Sequence, residues 1–198
     1  SNYTAKRIKK YWGRNSTVIH PPVNTKKFSP GKSRSDFYLS VSRLVPNKRI
    51  DLLVKAFNQL DFPLIIVGSG PEKKKLMKIS KNNISFLNYQ DDLSIKNLME
   101  TCRAFVYTGI EDFGIAPVEA MAAGAPIIAF NKGGILDTVK CINSEAKIAT
   151  GILFDEQNEK VIRDCINYFE EKKLWLEFSN EDINLWAQNF SIDIFKKK

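Results

Sequence analysis

The sequence contains few cysteines and no long apolar run. Only three cysteines occur among its 198 residues, none of them in a C-x-x-C pair, and each stands among apolar neighbours. This pattern argues against a disulfide framework and is typical of reduced, buried thiols in a cytosolic protein. No apolar run approaches the roughly 18 residues of a membrane span, and residues 1–12 are too polar for a signal peptide. We therefore expect a soluble chain in the cytoplasm.

Acidic residues are outnumbered, with 22 against 30 basic residues and a formal net charge of +8. Such an excess indicates an anionic partner, which could be a nucleic acid, a phosphorylated ligand or an acidic membrane surface. The lysines lie mostly on predicted helix faces and at residues 196–198, and no aromatic residues interleave with them. We therefore expect no nucleic acid partner and assign much of the excess to solvated surface.

The middle of the chain alternates short β-prone runs with amphipathic segments of helix length. The predicted strands are residues 37–42, 63–68, 83–88, 103–108 and 126–131. The predicted helices between them are residues 50–60, 72–80, 94–102 and 117–123. This alternation predicts an α/β fold with a doubly wound, Rossmann-like parallel sheet flanked by helices. Ligands of such sheets bind at the carboxyl ends of the strands.

The two ends of the chain differ from this middle part. Residues 1–35 read as the end of a helix followed by an extended connector rich in proline and lysine, so we expect the end of a preceding lobe and an interdomain linker. Residues 36–158 form the predicted ligand-binding domain. Residues 159–198 read as two helices with many large apolar side chains, which would pack on that domain and partly face a missing N-terminal lobe.

Two loops that follow predicted strands carry residues suited to phosphate. Arg43 and Lys48 stand after the first strand, just before a helix, where an arginine fork and a lysine charge can form a phosphate site. A strand-end salt bridge with a solvated lysine remains the alternative. After the second strand, residues 68–71 resemble a G-x-G-x-x-G fingerprint, but Lys73 replaces the third glycine. A dinucleotide site is therefore not expected, and the glycines indicate a tight turn or close approach to a ligand.

The segment EDFGIAPVEAMAAGAP (111–126) combines acidic residues with helix-start signals. Pro117 suits the first position of a helix, so Glu111 would precede the helix and Glu119 would lie in its first turn. Backbone N–H groups at a helix start attract phosphate, whereas carboxylates accept hydrogen bonds from vicinal hydroxyls. A phosphate-binding turn between two carboxylates predicts a nucleotide-sugar ligand.

Four segments, taken in chain order, resemble the signatures of the retaining group 1 (family 4) glycosyltransferases of GT-B fold. They are SRLVPNKRIDLLVKAF, LIIVGSGPEKKKL, EDFGIAPVEAMAAGAPIIAFNKGG and TGILF. The resemblance spans roughly residues 15–195, and several ordered motifs are more specific than any one motif. Glu111 and Glu119 fit the family's E-x7-E motif. The sequence of the third segment is most similar to that of O-antigen type mannosyltransferases that use GDP-mannose.

The resemblance implies a role for each matching residue. Arg43 and Lys48 would hold the diphosphate and stabilise the leaving group, in place of the divalent metal of other transferases, and no D-x-D motif occurs. Glu111, with the backbone of Phe113 and Gly114, would position the transferred sugar. The remaining donor contacts would come from Ile115 over the ribose and phosphates, Glu119 on the ribose hydroxyls and Asp91 at the base.

Three further positions bear on the resemblance. Asp137 stands where the family usually has glutamate after its glycine pair, and residues 141–149 lengthen the connection to TGILF. His20 lies in a segment that resembles the family's interdomain hinge, in a position common for an aromatic residue or histidine. We expect His20 to be structural and do not assign it as a base.

The resemblance therefore implies the donor-binding domain of a retaining, metal-independent glycosyltransferase with Glu111, Arg43 and Lys48 as its catalytic residues. The donor would be GDP-mannose, with a UDP-sugar as the alternative, and no further cofactor would be needed. A glycan or lipid-linked acceptor would bind through the missing N-terminal lobe, so this chain alone would be inactive. The complete protein could associate with the inner face of the membrane. A non-catalytic nucleotide-sugar module is one alternative. A glycoside hydrolase in which Glu111 and Glu119 are acid and nucleophile is another, but the phosphate-binding residues Arg43 and Lys48 argue against it.

Overall fold

A computed structural model describes residues 1–31, 33–142 and 147–197. Within these residues the chain forms a six-stranded sheet in the order β3-β2-β1-β4-β5-β6, with every neighbouring pair parallel. The strands are β1 (Tyr38–Val41), β2 (Leu64–Val67), β3 (Ile84–Leu87), β4 (Ala104–Tyr107), β5 (Ile127–Phe130) and β6 (Gly151–Phe154). The strand order reverses between β1 and β4, and the crevice at such a point is where parallel α/β sheets bind ligands.

The predicted parallel sheet is confirmed, and each of the five predicted strands contains one observed strand. The sixth strand, β6, was not predicted as a strand, although it lies in the TGILF segment. It pairs with β5 from Ile127↔Gly151 to Phe130↔Phe154. The lengthened connection at residues 141–149 lies partly outside the described residues.

Helices cover the sheet, and nine α-helices occur in the part of the chain that the structure describes. They are α1 (Asn2–Trp12), α2 (Ile50–Phe57), α3 (Lys73–Ile79), α4 (Asp92–Thr101), α5 (Ile115–Ala122), α6 (Ile135–Thr138), α7 (Glu159–Glu171), α8 (Asn180–Ala187) and α9 (Ile192–Phe195). α7 packs on α2, and α8 packs on α5. The two helices predicted for residues 159–198 are therefore three, separated by short 3₁₀ turns.

The predicted start of α5 is wrong by two residues. Gly114 is the N-cap with φ 91°, and the helix begins at Ile115, which makes Pro117 its third residue. Proline is tolerated there because N–H groups in the first turn have no acceptor within the helix. Glu119 is consequently the fifth helical residue and lies in the second turn rather than the first.

Large apolar side chains of the last forty residues are divided between core and surface. Phe169, Phe178 and Phe190 are buried, whereas Leu176 and Leu185 are 72% and 61% exposed. The expectation that this chain does not bury all of them is confirmed. That the exposed ones face another lobe stays a prediction. No helix within the described residues is long and apolar enough to cross a membrane.

The guanidinium of Arg34 joins the C-terminal ends of α4 and α5. Its Nη1 donates to the carbonyl oxygens of Met99 and Glu100, both at 3.2 Å, and of Cys102 at 3.4 Å. Nη2 donates to the carbonyl of Ala123 at 3.0 Å, and Nε donates to Oδ1 of Asn180 at 3.1 Å. Burial lowers the pKa of Arg34 from its ordinary value. One partly buried cation thus donates to carbonyls at the C-terminal ends of both helices.

Candidate functional site

Two adjoining clefts open at the carboxyl ends of the central strands. The first, of about 440 Å³, lies between the ends of β1 and β2 and the loop that leads into α4. The second, of about 370 Å³, lies between the ends of β1 and β4 and the start of α5. Val41 and Ser42 line both, so the two clefts adjoin at these residues. A larger cleft of about 640 Å³ lies at the amino ends of β2 and β3, and no predicted site residue lines it.

Lys48 and Glu111 meet in the second cleft. Lys48 follows β1 at the end of a 3₁₀ turn, and Glu111 follows β4, the neighbouring strand. Nζ of Lys48 lies 2.5 Å from Oε1 of Glu111, and the two side chains are 19% and 31% exposed. The hydroxyl of Thr108 donates to the backbone carbonyl of Lys48 at 2.8 Å, which holds the lysine segment against the end of β4. The loops that follow β1 and β4 therefore meet at this pair.

A glycine pair after β5 supports the loop that carries Glu111. The N–H of Gly134 donates to the carbonyl of Glu111 at 2.7 Å. A Cβ added at Gly134 would lie 2.2 Å from the carbonyl oxygen of Asp112, and one at Gly133 would lie 2.7 Å from that of Glu111. Only residues without side chains allow this approach. The glycine pair therefore lets the loop that carries Glu111 pack closely on the backbone that follows β5.

The start of α5 forms one wall of the second cleft. Gly114 and Ile115 line it, and the side chain of Ile115 is 49% exposed. Phe113 also lines the cleft, but its side chain is 6% exposed, so its backbone is the part best placed to meet a ligand. Gly114 has no side chain that caps the helix, and the first amides of α5 therefore remain available to an anion.

Arg43 lines the first cleft and Lys48 the second, so the two predicted phosphate ligands lie on either side of Val41 and Ser42. Arg43 is exposed, and no hydrogen bond or ion pair of its guanidinium is found within the described residues. The alternative of a strand-end salt bridge thus does not describe Arg43. Lys48 is not the solvated lysine of that alternative either, because it is paired with Glu111.

Ser42 is a residue that the sequence analysis missed. It lines both clefts, yet its hydroxyl is shielded from water and has no hydrogen-bond partner among the described residues. Its place one residue after β1 and one before Arg43 is a signal that could have singled it out. An unpaired hydroxyl between two clefts is a further candidate donor to a ligand.

Asp91 has a structural role that accounts for its position. Its Oδ1 accepts the backbone N–H of Ser94 at 2.7 Å and thereby caps the start of α4. This backbone hydrogen bond holds the pKa of the exposed Asp91 carboxyl below its ordinary value. The residues of this loop that line the first cleft are instead Tyr89 and Gln90. Contact between Asp91 and a base stays a prediction.

Gly68 and Gly70, in the loop after β2, pack against the backbone that follows β1. A Cβ at Gly68 would lie 1.9 Å from the carbonyl oxygen of Ser42, and one at Gly70 would lie 2.3 Å from that of Leu44. The N–H of Leu44 donates to the carbonyl of Ser69 at 2.8 Å. Tight packing of two loops therefore explains both glycines, and Ser69 between them lines the first cleft.

Glu119 lies on α5 beyond both clefts and lines neither of them within the described residues. Burial raises the pKa of its carboxyl; the charge of Lys27 acts in the opposite direction, and Asp92 adds to the effect of burial. Nζ of Lys27 is itself 2.8 Å from Oδ1 of Asp92. The carboxylate of Glu119 has no hydrogen bond within the described part of the chain, so it is available to accept hydrogen bonds from a ligand.

The substitution Glu119→Gln should stabilise the free protein. Burial raises the folded-state pKa above the unfolded one, so ionisation disfavours the folded chain above that pKa, and the effect vanishes below the unfolded pKa. Melting followed by circular dichroism should show a gain of about 1–2 °C at about pH 8 and none at about pH 4. A variant that melts below the wild type at the higher pH would contradict this account of Glu119.

Within the described residues no group of three or more histidine, cysteine or acidic side chains could hold a metal ion. The residues brought together at the clefts include the cations Arg43 and Lys48, the carboxylates of Glu111 and Asp112, the helix-start amides of α5 and the hydroxyl of Ser42. Such a set binds anions and hydroxyl groups.

A family model described as glycosyl transferases group 1 matches residues 23–183 of the chain. A GDP-mannose-dependent monoacylated alpha-(1-6)-phosphatidylinositol monomannoside mannosyltransferase of Corynebacterium glutamicum is 32% identical over 171 residues, covering 70% of this chain and 45% of that protein. A probable sucrose-phosphate synthase of Thermosipho melanesiensis is 29% identical over 197 residues, covering 85% of this chain and 46% of that protein. The chain thus spans less than half the length of these curated relatives.

Solved structures show the same fold. Anabaena HepE in complex with UDP-glucose matches with a TM-score of 0.82 at 21% identity, over 100% of this chain and 60% of that chain. The six-stranded sheet is accordingly the Rossmann-like α/β fold found in GT-B glycosyltransferases. Because the family model matches most of the chain, and a relative more than 30% identical agrees with it, the chain belongs to the group 1 glycosyl transferases.

Proposed function

We propose that the chain is the donor-binding domain of a retaining, metal-independent glycosyltransferase that uses GDP-mannose. The observation that carries this proposal is the Lys48–Glu111 pair in a cleft at the start of α5, with the unpaired Arg43 in the adjoining cleft. The cations and amides suit a diphosphate, and the carboxylate suits the hydroxyls of a sugar. GDP-mannose is favoured because relatives of this chain, including the Corynebacterium glutamicum protein, are GDP-mannose-dependent mannosyltransferases.

Catalysis at this site would be electrostatic. Negative charge grows on the diphosphate as the bond to the sugar breaks, and Arg43, Lys48 and the first amides of α5 would stabilise it without having to reorient. Glu111 would accept hydrogen bonds from the sugar and hold its reacting carbon near the phosphate. Lys48 is already bound to Glu111, so one contact would align the phosphate site with the sugar site.

The acceptor is a separate part of the proposal. The matched part of this chain covers less than half of each relative, and we propose that a preceding lobe supplies the site for a glycan or lipid-linked acceptor. The segment that begins at Glu111 resembles O-antigen type mannosyltransferases. We therefore propose that the complete protein takes part in the synthesis of such a polysaccharide, at the inner face of the membrane. Nucleic acid is not part of this proposal.

A thermal-shift panel of GDP, UDP, ADP, GDP-mannose and UDP-glucose tests the proposal directly. A ligand that binds only the folded state raises the melting temperature, by about 5–10 °C at a hundred times its dissociation constant for a chain of this size. We expect GDP and GDP-mannose to give the largest shifts. A panel in which no nucleotide shifts the transition, repeated by calorimetry with the same result, would rule out the proposed function.

A UDP-sugar is the second candidate donor, favoured by the complex of Anabaena HepE with UDP-glucose. Larger shifts with UDP and UDP-glucose would replace GDP-mannose by this candidate and keep the class of enzyme. The glycoside hydrolase alternative loses support, because such an enzyme needs both carboxylates in one cleft and Glu119 lies outside the cleft of Glu111. A non-catalytic binding module would bind the donor but transfer no sugar in the complete protein.

A further inference from the structure

The connector before the sheet is tied to the site by His20. Nε2 of His20 lies 2.9 Å from Oδ2 of Asp137, the third residue of α6, and the two positions are 117 residues apart in sequence. The side chain of Asp137 is 6% exposed and also accepts the backbone N–H of Asn2 at 2.7 Å. Pro21, the next residue of the connector, lines the second cleft. The connector is thus part of the wall of the site.

The ring of His20 packs on Phe113, in the loop that carries Glu111. It stacks on Phe113 with ring centroids 5.6 Å apart and an interplanar angle of 29°. Phe190 closes the group, edge-on to His20 at 5.4 Å and to Phe113 at 5.7 Å. Phe113 stands between Glu111 and Gly114, so the position of its ring determines where the neighbouring backbone amides lie.

The charge of Asp137 determines the direction of its hydrogen bond with His20. Burial alone would raise the pKa of Asp137, but hydrogen bonds from the Asn2 backbone and the His20 ring outweigh burial and lower it. The carboxyl is therefore ionised at neutral pH and can only accept. Nε2 of His20 must then carry a proton and donate, which fixes the plane of the ring.

We propose that His20 is a positioning residue for the donor site. Held by Asp137 and stacked on Phe113, it fixes the loop so that the amides at Phe113, Gly114 and Ile115 face the diphosphate and sugar. This inference rests on the proposed function and adds to it a contribution from the connector. A shift of the connector would be transmitted to the sugar side of the site and not to the base side, which lies in the first cleft.

Two substitutions separate the contributions of the ring and the hydrogen bond. His20→Phe keeps a ring against Phe113 and removes the donor, whereas His20→Gln keeps a donor and removes the ring. Calorimetry would compare GDP-mannose with GMP or, where the panel selects uridine, UDP-glucose with UMP. We expect each variant to bind the nucleotide-sugar about fivefold more weakly, the effect of one lost hydrogen bond or packing contact, and the monophosphate less than about twofold more weakly.

Two control variants show whether the effect is specific. Arg7→Ala removes an ion pair of 2.9 Å between α1 and Asp112 of the same loop, but both side chains are more than half exposed, so binding should stay within about twofold of the wild type. Ile166→Val, in the buried face of α7, lowers stability without touching the loop. Equal losses for the nucleotide-sugar and the monophosphate, or the same loss in either control, would overturn the role of His20.

The pair can also be observed without any ligand. His20 is the only histidine in the sequence, so a ¹⁵N imidazole spectrum contains a single ring. We expect a proton on Nε2 in the wild type and an altered Nε2 resonance in Asp137→Asn. A ring protonated on Nδ1 alone would overturn the inference. If the wild type binds no nucleotide, the proposed function fails together with this inference; if both His20 variants bind like the wild type, this inference alone fails.

Discussion

Replacing Arg34 with methionine should lower the free energy of unfolding by about 3–5 kcal/mol. The guanidinium donates to carbonyls at the ends of both α4 and α5 and to Asn180 of α8. Methionine has a similar length but no donor, so it would remove all of these hydrogen bonds and, with them, the connection between three helix ends. Urea denaturation followed by far-UV circular dichroism measures the loss.

A second arginine provides the matched control for Arg34. Arg163 on α7 bonds to Asp164 at 2.9 Å and to Gln59 at 2.7 Å, and these bonds lie at the surface. Arg163→Met should cost less than about 1 kcal/mol. The loss of unfolding free energy for Arg34→Lys should lie between those for Arg34→Met and Arg163→Met. A lysine keeps the charge but lacks the five N–H donors of a guanidinium. Similar losses for Arg34→Met and Arg163→Met would contradict the capping role of Arg34.

Removing the two cations of the clefts should give the largest loss of nucleotide affinity. Arg43→Ala should weaken GDP binding about tenfold or more, and Arg43→Ala combined with Lys48→Met about a hundredfold or more, since each charge-assisted bond is worth about 1.5–3 kcal/mol. Calorimetry with GDP measures both. The exposed guanidinium of Arg43 makes no hydrogen bond or ion pair with other described residues, so its removal should leave the melting temperature nearly unchanged.

Glu111, the ion-pair partner of Lys48, allows a further test of the phosphate site. Lys48→Met leaves Glu111 without its ion pair and facing the diphosphate, which adds repulsion to the lost attraction. Lys48→Met with Glu111→Gln should therefore bind GDP more tightly than Lys48→Met alone. Arg163→Ala serves as a control for net charge. If Arg43→Ala binds GDP as tightly as the wild type, Arg43 is not a phosphate ligand.

Much of the fold could be predicted because the sheet is buried on both faces. β4 and β5 are buried at every position, so their sequences are unbroken apolar runs that stand out from the amphipathic helices. β6 was missed because its four residues follow a connection of irregular composition. The start of α5 was misplaced because Pro117 marks the first turn of a helix but not which residue of that turn it occupies.

The candidate site was predictable where it depends on neighbouring strands. Lys48 and Glu111 follow β1 and β4, and the topology alone brings the ends of these strands together. Its other features depend on contacts distant in sequence. No pattern links His20 to Asp137, and no pattern shows that Arg43 and Lys48 would line adjoining clefts. The capping role of Asp91 could have been found, because aspartate at a helix start is a common N-cap.

The packing of Gly68 and Gly70 also bears on how natural variation in this family would be interpreted. Any side chain at either position would meet a backbone carbonyl of the neighbouring loop. Selection would therefore retain both glycines whichever nucleotide the protein binds, and their invariance would carry no information about ligands. Ser69 between them lines the first cleft, and it is the position of this turn at which divergence could follow a change of donor.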